Sequence, residues 1–288
     1  MEFSDWIVAN ETTIRPAVFI GMLVIMGLWE VVAPIRERSL SRLLRWTNNL
    51  ALVFLNTAVL RLVFFPAAAV GVAAYVEAND WGLMNVYEVP FALAVIICVI
   101  AQDFIIYLQH VLVHAVPALW RLHRVHHADP DFDVTTGLRF HPLEIILSML
   151  IKFSTIVVLG VPVLAVIIFE ILLNAGAMFN HANIKLPKGL DWLLRWLIVT
   201  PDMHRVHHSV EDDEANSNFG FCLTWWDRLF GTYVDQPRGG QTGMKIGIHY
   251  YNDPKQVSWL HGMLTLPFRR KIGGYTINRR KWSGEDEG

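Results

Sequence analysis

Charged residues are scarce in this chain, and their scarcity excludes several classes of protein. Asp, Glu, Lys and Arg make up 17% of the 288 residues and hydrophobic residues 53%, whereas soluble globular chains carry about 25% charged residues. The net charge is -2, and the basic residues lie in short clusters between apolar runs. The chain therefore has no basic face for nucleic acid. Its composition is typical of an integral membrane protein.

Cysteine is also scarce. The two cysteines, Cys98 and Cys222, lie far apart and form no CxxC pattern. This argues against a disulfide framework, an iron-sulfur cluster and a zinc-thiolate site. The first apolar run follows "MEFSDWIVANETTI", which has neither the basic leader nor the small-residue cleavage site of a signal peptide. We therefore expect a retained transmembrane helix there.

The long apolar runs predict an all-α, polytopic membrane protein with about three transmembrane helices. We expect helices over roughly residues 16–33, 50–75 and 91–113, each long enough for the approximately 20 apolar residues that a bilayer crossing requires. The loop "PIRERSLSRLLRW" between the first two carries four arginines. Loops rich in Lys and Arg face the cytoplasm, so we expect the third helix to return the chain to the cytoplasmic side.

A further apolar segment predicts a membrane helical hairpin. Residues 143–179 are apolar for about twice the length of one crossing. Gly160 and Pro162 lie near the middle, and proline disfavours helix continuation through the preceding residue. The two expected helices are 143–159 and 162–180, followed by a cytoplasmic, histidine-rich helical cap.

The pentapeptide HRVHH occurs twice, at 123–127 and at 204–208. On a helix its histidines fall at i, i+3 and i+4, which places three imidazoles on one face. The segment "HVLVH" adds two histidines four residues apart, which share a helical face. One metal ion rarely takes more than six ligands, so the set predicts two metal ions. Its eight members are His110, His114, His123, His126, His127, His204, His207 and His208.

Three further residues are candidates near these boxes. Asp103 lies seven residues before His110 on the same face, and we expect its carboxylate to accept the distal N–H of a ligating imidazole. His181, in "FNHAN", closes the hairpin on the side of the boxes and is a candidate ligand. His141 opens the hairpin and is a further candidate ligand.

Neutral imidazoles suit zinc, copper, iron and nickel. Structural zinc sites commonly include thiolates, and no cysteine lies near the boxes. Iron is favoured because a two-metal imidazole site at a membrane surface can activate O2 for attack on an unactivated C–H bond. Two alternatives stay open: a membrane cytochrome with bis-histidine haems, and a metal transporter. A transporter needs ionisable groups along a path, and the first two helices contain only Glu30 and Arg61 well inside them.

The boxes resemble a known family. "HVLVH", "HRVHH", "FNHAN" and "HRVHHS", followed by "NFGFCLTWWDRLFGTY", are similar to the fatty acid hydroxylase and sterol desaturase superfamily of integral-membrane di-iron oxygenases over about Ala101 to Tyr233. The resemblance implies that the eight histidines bind two iron ions, with His181 as a ninth ligand. Members often have another histidine shortly after this one, whereas this chain has Asn183, Ile184 and Lys185. Water, Asn183 or His141 would then complete the coordination.

The resemblance implies O2-dependent hydroxylation or desaturation of a lipid in the bacterial inner membrane or endoplasmic reticulum, without fixing the lipid or the product. It divides the chain into N-terminal transmembrane helices (1–88), a catalytic domain (89–235) and a cytoplasmic C-terminal tail (236–288). The haem-binding pattern HPGG of a fused cytochrome b5 domain is absent from the sequence. We therefore expect electrons from a separate cytochrome b5-, ferredoxin- or reductase-type protein.

Overall fold

The computed structural model describes residues 3–65 and 68–270, and in these two ranges the chain is helical, with no β-strand. The all-α prediction is confirmed. The helices are α1 (Phe3–Ala9), α2 (Glu11–Val32), α3 (Arg42–Phe64), α4 (Ala69–Ala78), α5 (Leu83–Val86), α6 (Phe91–Ala115), α7 (Pro117–His127), α8 (Pro142–Leu159), α9 (Val163–Asn180), α10 (Lys188–Leu194), α11 (Pro201–His207), α12 (Asp212–Ala215), α13 (Trp225–Leu229), α14 (Gly240–Gly243), α15 (Pro254–Val257) and α16 (Leu260–Thr265), with 3-10 turns at Thr136–Leu138 and Leu266–Phe268.

Among the described residues, five segments are long and apolar enough to cross a membrane, so the chain is a multi-pass membrane protein. They are Glu11–Val32, Arg42–Val86, Phe91–Ala115, Pro142–Leu159 and Val163–Asn180.

The prediction of one helix over 50–75 is wrong in its bounds. The second segment contains α3, which begins at Arg42 and ends at Phe64, and a separate α4. Phe65, at the end of α3, is extended, with φ -65° and ψ 133°. Pro66 follows it in the sequence, and a residue before proline prefers extended backbone to helix.

The helical hairpin is confirmed, and its bounds agree with the prediction to within one residue. Helix α8 ends at Leu159, and the next residue, Gly160, has φ 72° and donates its N–H to the carbonyl of Ile156 at 2.9 Å. Glycine adopts this left-handed conformation without the penalty that a Cβ brings. Pro162 then directs the chain into α9. Both ends that carry candidate ligands therefore lie on one side of the pair.

A second turn places the first HRVHH copy beside "HVLVH". Val116 has extended backbone between α6 and α7, and Pro117 occupies the first position of α7, where its missing N–H leaves no hydrogen bond unmade. Helix α7 therefore folds back across the end of α6.

The described part of the C-terminal region packs against this cap. Val257, Met263 and Leu266 share a buried apolar cluster with Trp120 and Val125 of α7. The domain boundaries after residues 88 and 235 remain predictions.

Candidate metal centre

Nine buried histidines converge in two neighbouring groups, and all nine were candidates from the sequence. Within each group the candidate ligand atoms all lie within 4.8 Å of one another. Site one contains His110, His114, His123, His127 and His207; site two contains His126, His181, His204 and His208.

Each HRVHH copy contributes to both sites. In the first copy, positions i and i+4 join site one and position i+3 joins site two, whereas in the second copy the assignment is reversed. The two sites are therefore adjacent because they are built from the same two helices. The ring centres of His127, in site one, and His208, in site two, lie 4.6 Å apart.

Lone pairs face each other in site one. Nδ1 of His110 lies 2.8 Å from the carbonyl oxygen of Phe219, and Nδ1 of His123 lies 2.7 Å from a carboxylate oxygen of Glu144. Both oxygens are acceptors, so each Nδ1 carries the proton and each Nε2 carries a lone pair. These two Nε2 atoms are 3.1 Å apart. Their approach is repulsive unless a cation lies between them.

Site two shows the same arrangement around one atom. Nδ1 of His181 lies 2.8 Å from the carbonyl of Ala177, so its Nε2 carries the lone pair. The Nε2 atoms of His126, His204 and His208 lie 3.1, 3.1 and 3.2 Å from it. One lone pair cannot accept three hydrogen bonds at once. Two nitrogens bound at about 2.1 Å to one metal, at right angles, are about 3.0 Å apart, so the spacing fits shared coordination.

Burial keeps the cap imidazoles neutral, the form that binds a metal. The pKa of His181 is lowered to about 3 chiefly by burial. Burial, followed by repulsion from neighbouring histidines, also lowers the pKa values of His126, His127, His204, His207 and His208 below the usual 6.5.

The segment after α12 supplies acceptors to site one. The carbonyl of Ser217 lies 2.7 Å from Nδ1 of His207, and Phe219 serves His110 as described. Asn218 sits between them with φ 51° and donates to the carbonyls of Met203 and Val234 at 2.9 and 2.8 Å. This turn therefore fixes which nitrogen of each ring carries the proton.

The loop between α7 and α8 closes over site two and is anchored on α3. The buried guanidinium of Arg45 pairs with Asp129 at 2.6 Å and also with Asp133. The ring of Phe140 stacks on His126 at 4.7 Å. Sequence reasoning missed this anchor, although acidic residues at alternate positions of "ADPDFDV", directly after the first HRVHH, are a signal for it.

Asp103 does not have the expected contact, and that prediction is wrong. Its carboxylate accepts the backbone N–H groups of Cys222 and Leu223 at 3.1 and 3.2 Å and the indole N–H of Trp226 at 2.8 Å. The distal nitrogen of His110 instead meets a backbone carbonyl, because the 216–220 turn lies closer to it. Asp103 therefore fixes the 222–226 segment to α6.

Glu144 has the contact that was expected of Asp103. It lies in the first turn of α8, is buried, and accepts from His123 as described. The signal in the sequence is a carboxylate at the start of an apolar run. Such a carboxylate costs free energy near a membrane unless it has a hydrogen-bond or ionic partner. The sequence does not reveal which imidazole is that partner, because the pair joins two separate helices.

Neither His141 nor Asn183 belongs to the two groups. His141 caps α8 by accepting from the N–H of Leu143. The side-chain amide of Asn183 exchanges hydrogen bonds with the backbone of Arg36 at 3.1 and 2.9 Å. His249 and His261 also lie outside both groups.

A cavity of about 250 Å³ opens against the metal centre between α2, α3, α6, α8 and α9, and we call it the metal-side cavity. His110, His123 and His126 line one end of it. Most of its remaining lining is apolar, with scattered polar side chains such as Gln109 and Asn174. An apolar pocket with a few polar groups is the usual form of a site for a small organic molecule.

The fold and site together define a multi-pass membrane protein with two adjacent polyhistidine sites at one end of its helices. Residues 95–232, which contain all nine histidines, match the family model described as fatty acid hydroxylase. Over these residues the chain is similar to the fatty acid hydroxylase family.

The chain is similar to several curated proteins over part of their length. It is 30% identical to ornithine lipid hydroxylase OlsE of Rhizobium tropici over 63% of this chain and 52% of the relative. It is 31% identical to alkylglycerol monooxygenase of Xenopus tropicalis over 56% of this chain and 35% of the relative. It is 26% identical to the human alkylglycerol monooxygenase over 55% of this chain and 34% of the relative. The matches thus span about a third to a half of these relatives. No solved structure matches the chain with significance.

Proposed function

We propose that this protein is an O2-dependent lipid hydroxylase in which site one and site two each hold one iron ion. The observation that carries the proposal is the convergence of nine buried imidazoles, with lone pairs facing one another, at the end of an apolar cavity. Imidazole sites bind several metals. Iron is proposed because the relatives are hydroxylases and monooxygenases by name, and bound iron would supply the activation of O2 that oxidation of an unactivated C–H bond requires.

The proposed reaction inserts one oxygen atom into a C–H bond. A lipid C–H group, one O2, two electrons and two protons give the alcohol and one water. The electrons come from an external carrier protein of the cytochrome b5, ferredoxin or reductase type. None of the named relatives is a haem cytochrome or a metal transporter, so neither alternative gains support.

The residues of this chain would orient the metals and the substrate. The carbonyls of Phe219, Ser217 and Ala177 hold protons on Nδ1 of three imidazoles, which leaves their Nε2 atoms for the metals. Glu144 does the same for His123 and also lines the cavity. The apolar wall excludes water and directs a hydrocarbon chain toward the histidine end.

We place the metal centre on the cytoplasmic side of the membrane. The loop between α2 and α3 is rich in arginine, which favours the cytoplasm. The loop contacts the segment that follows α7, because the backbone N–H groups of Ser39 and Leu40 donate to the carboxylate of Asp131 at 2.8 and 2.9 Å. The names of the relatives refer to an ornithine lipid and to alkylglycerols, so we propose a membrane lipid as substrate.

The proposal is tested by growing matched cells with and without the protein under ¹⁸O2 and comparing their lipids by mass spectrometry. We expect a lipid that gains one ¹⁸O atom only in cells with the protein. The product should be absent with His126→Ala and present with His249→Ala, a histidine outside both sites. Oxygen drawn from water, a product that lacks two hydrogens, or full activity in His126→Ala would overturn the proposal.

A further inference from the structure

A second cavity, of about 500 Å³, continues the metal-side cavity away from the metal centre, and we call it the charged cavity. Phe19, Val53, Thr57 and Asn174 line both cavities. A single molecule could therefore extend through both. Ionisable side chains of α2, α3 and α9 distinguish the charged cavity from the apolar space beside the histidines.

Most of the charges in the charged cavity are paired. Arg15 bridges Glu11 at 2.9 Å and Glu170 at 2.5 Å. Lys152, on α8, pairs with the other oxygen of Glu170 at 2.7 Å. Two carboxylates thus face two cations, and they form one closed network.

Arg61 is the exception. It lines the same cavity and is exposed, and it has no ion pair or hydrogen bond with any of residues 3–65 or 68–270. Arg61 lies in the last turn of α3, and an arginine near the end of a membrane helix extends its guanidinium toward polar groups. The cavity therefore presents one guanidinium that is free to bind an anion.

The position of Arg61 suits the polar end of a long-chain molecule. Val53, Thr57 and Arg61 are four residues apart along α3, so they share one face that runs from the metal-side cavity into the charged cavity. On α9, Glu170 lies eleven residues before His181, which is about 16 Å along a helix axis. Arg61 lines the same cavity as Glu170, so an anion held there would lie at the end of the two cavities that is remote from His181.

Building on the proposed function, we propose that the charged cavity binds the anionic oxygens of the substrate's polar end, a carboxylate or a phosphate, through Arg61. The guanidinium matches such groups with two parallel N–H donors. The hydrocarbon chain then lies in the metal-side cavity with an internal carbon near the histidines. This assigns the substrate to amphipathic lipids with an anionic group, and it makes the distance from that group to the oxidised carbon a property of the protein.

The test measures binding without turnover, so that its failure is separable from failure of the hydroxylase proposal. The purified full chain in a neutral detergent is mixed with equal concentrations of an alkyl carboxylate, an alkyl phosphate and a primary alcohol of one chain length. Bound molecules are counted by native mass spectrometry. The variants are Arg61→Gln, Arg61→Lys and Arg38→Gln, the last a matched control because Arg38 is exposed outside both cavities.

We expect the wild-type chain to prefer one or both anions over the alcohol by about tenfold, the effect of one charge-assisted hydrogen bond. Arg61→Gln should abolish this preference, and Arg61→Lys and Arg38→Gln should keep it. The carboxylate and phosphate arms identify the anion. The proposal would be overturned if the wild type bound the anions and the alcohol equally or bound none of the three compounds. It would also be overturned if the Arg61→Gln variant kept the preference for anions.

Discussion

A carboxylate oxygen of Glu144, in the first turn of α8, lies 2.7 Å from Nδ1 of His123 in the first HRVHH copy. Both residues are buried, so the contact couples a membrane helix directly to site one. A carboxylate that accepts the distal N–H of a ligand fixes the ring and raises its basicity.

Replacing Glu144 by Gln should therefore weaken site one. The amide keeps the shape and an acceptor but removes the charge, and such losses cost about 10- to 100-fold in metal affinity or activity. Metal titration of the purified variant measures the effect. Asp103→Asn is the matched control, because Asp103 contacts Cys222, Leu223 and Trp226 and no imidazole. If Asp103→Asn lowered affinity as much as Glu144→Gln, the roles given to the two acids would be wrong.

Gly137 should be irreplaceable beside site two. A Cβ added there would lie 2.5 Å from the carbonyl oxygen of Ala177 and 3.0 Å from Nδ1 of His181. Because that carbonyl orients His181, Gly137→Ala should lower metal content and destabilise the fold by about 1–3 kcal/mol, as overpacking does. Gly189→Ala is the control, since nothing lies within 4 Å of its Cβ. Metal analysis and thermal unfolding measure the two effects. A Gly137→Ala protein with wild-type metal content would contradict the proposed role of the contact between Gly137 and the Ala177 carbonyl.

The proposed topology predicts which loops share one side of the membrane. Single cysteines at Arg38 and Lys188, both exposed, should react with an impermeant thiol reagent from the cytoplasmic side. A cysteine at the exposed Asn79, beyond α4, should react from the other side. The native Cys98 and Cys222 are first replaced by serine. Labelling of Arg38→Cys and Lys188→Cys from opposite sides would contradict the hairpin and the shared metal centre.

The metal-free protein should lose stability on acidification. Burial lowers the folded-state pKa of His126, His204 and His208 below the unfolded value of 6.5, so their stabilisation is present above that pH and lost as pH falls. Each group lowers the free energy of unfolding by up to about 1.4 kcal/mol per pH unit below that value. Thermal unfolding in chelator at about pH 7.5 and about pH 5.5 measures this. A His204→Gln, His208→Gln variant should show a shallower decline, and equal slopes would contradict the account.

Much of the membrane architecture could be predicted because apolar length and helix breakers act locally. Gly160 and Pro162 located the hairpin turn to within one residue of the observed ends. The second helix was harder to delimit, because its polar first turns, from Arg42, pack Arg45 against the distant Asp129 and Asp133. Such a contact across more than 80 residues leaves no periodic signal in the sequence.

The candidate ligands could be predicted as a set, but their division between two sites could not. Spacing in HRVHH shows that three imidazoles share a helical face. It does not show which of them lies beside His110 and which lies beside His181. That division depends on how α7 and α11 approach each other. The oxygen atoms that accept from the Nδ1 atoms could not be predicted for the same reason, because Phe219, Ser217 and Glu144 lie in separate parts of the chain.

The metal content of each site tests the central claim most directly. The protein, purified without oxygen after growth with added iron, should hold about two iron ions per chain, because nine imidazoles in groups of five and four exceed what one ion takes. His114→Ala should reduce occupancy of site one and His181→Ala that of site two, and either variant should keep close to one ion. An active wild-type preparation with one metal ion per chain would contradict the account.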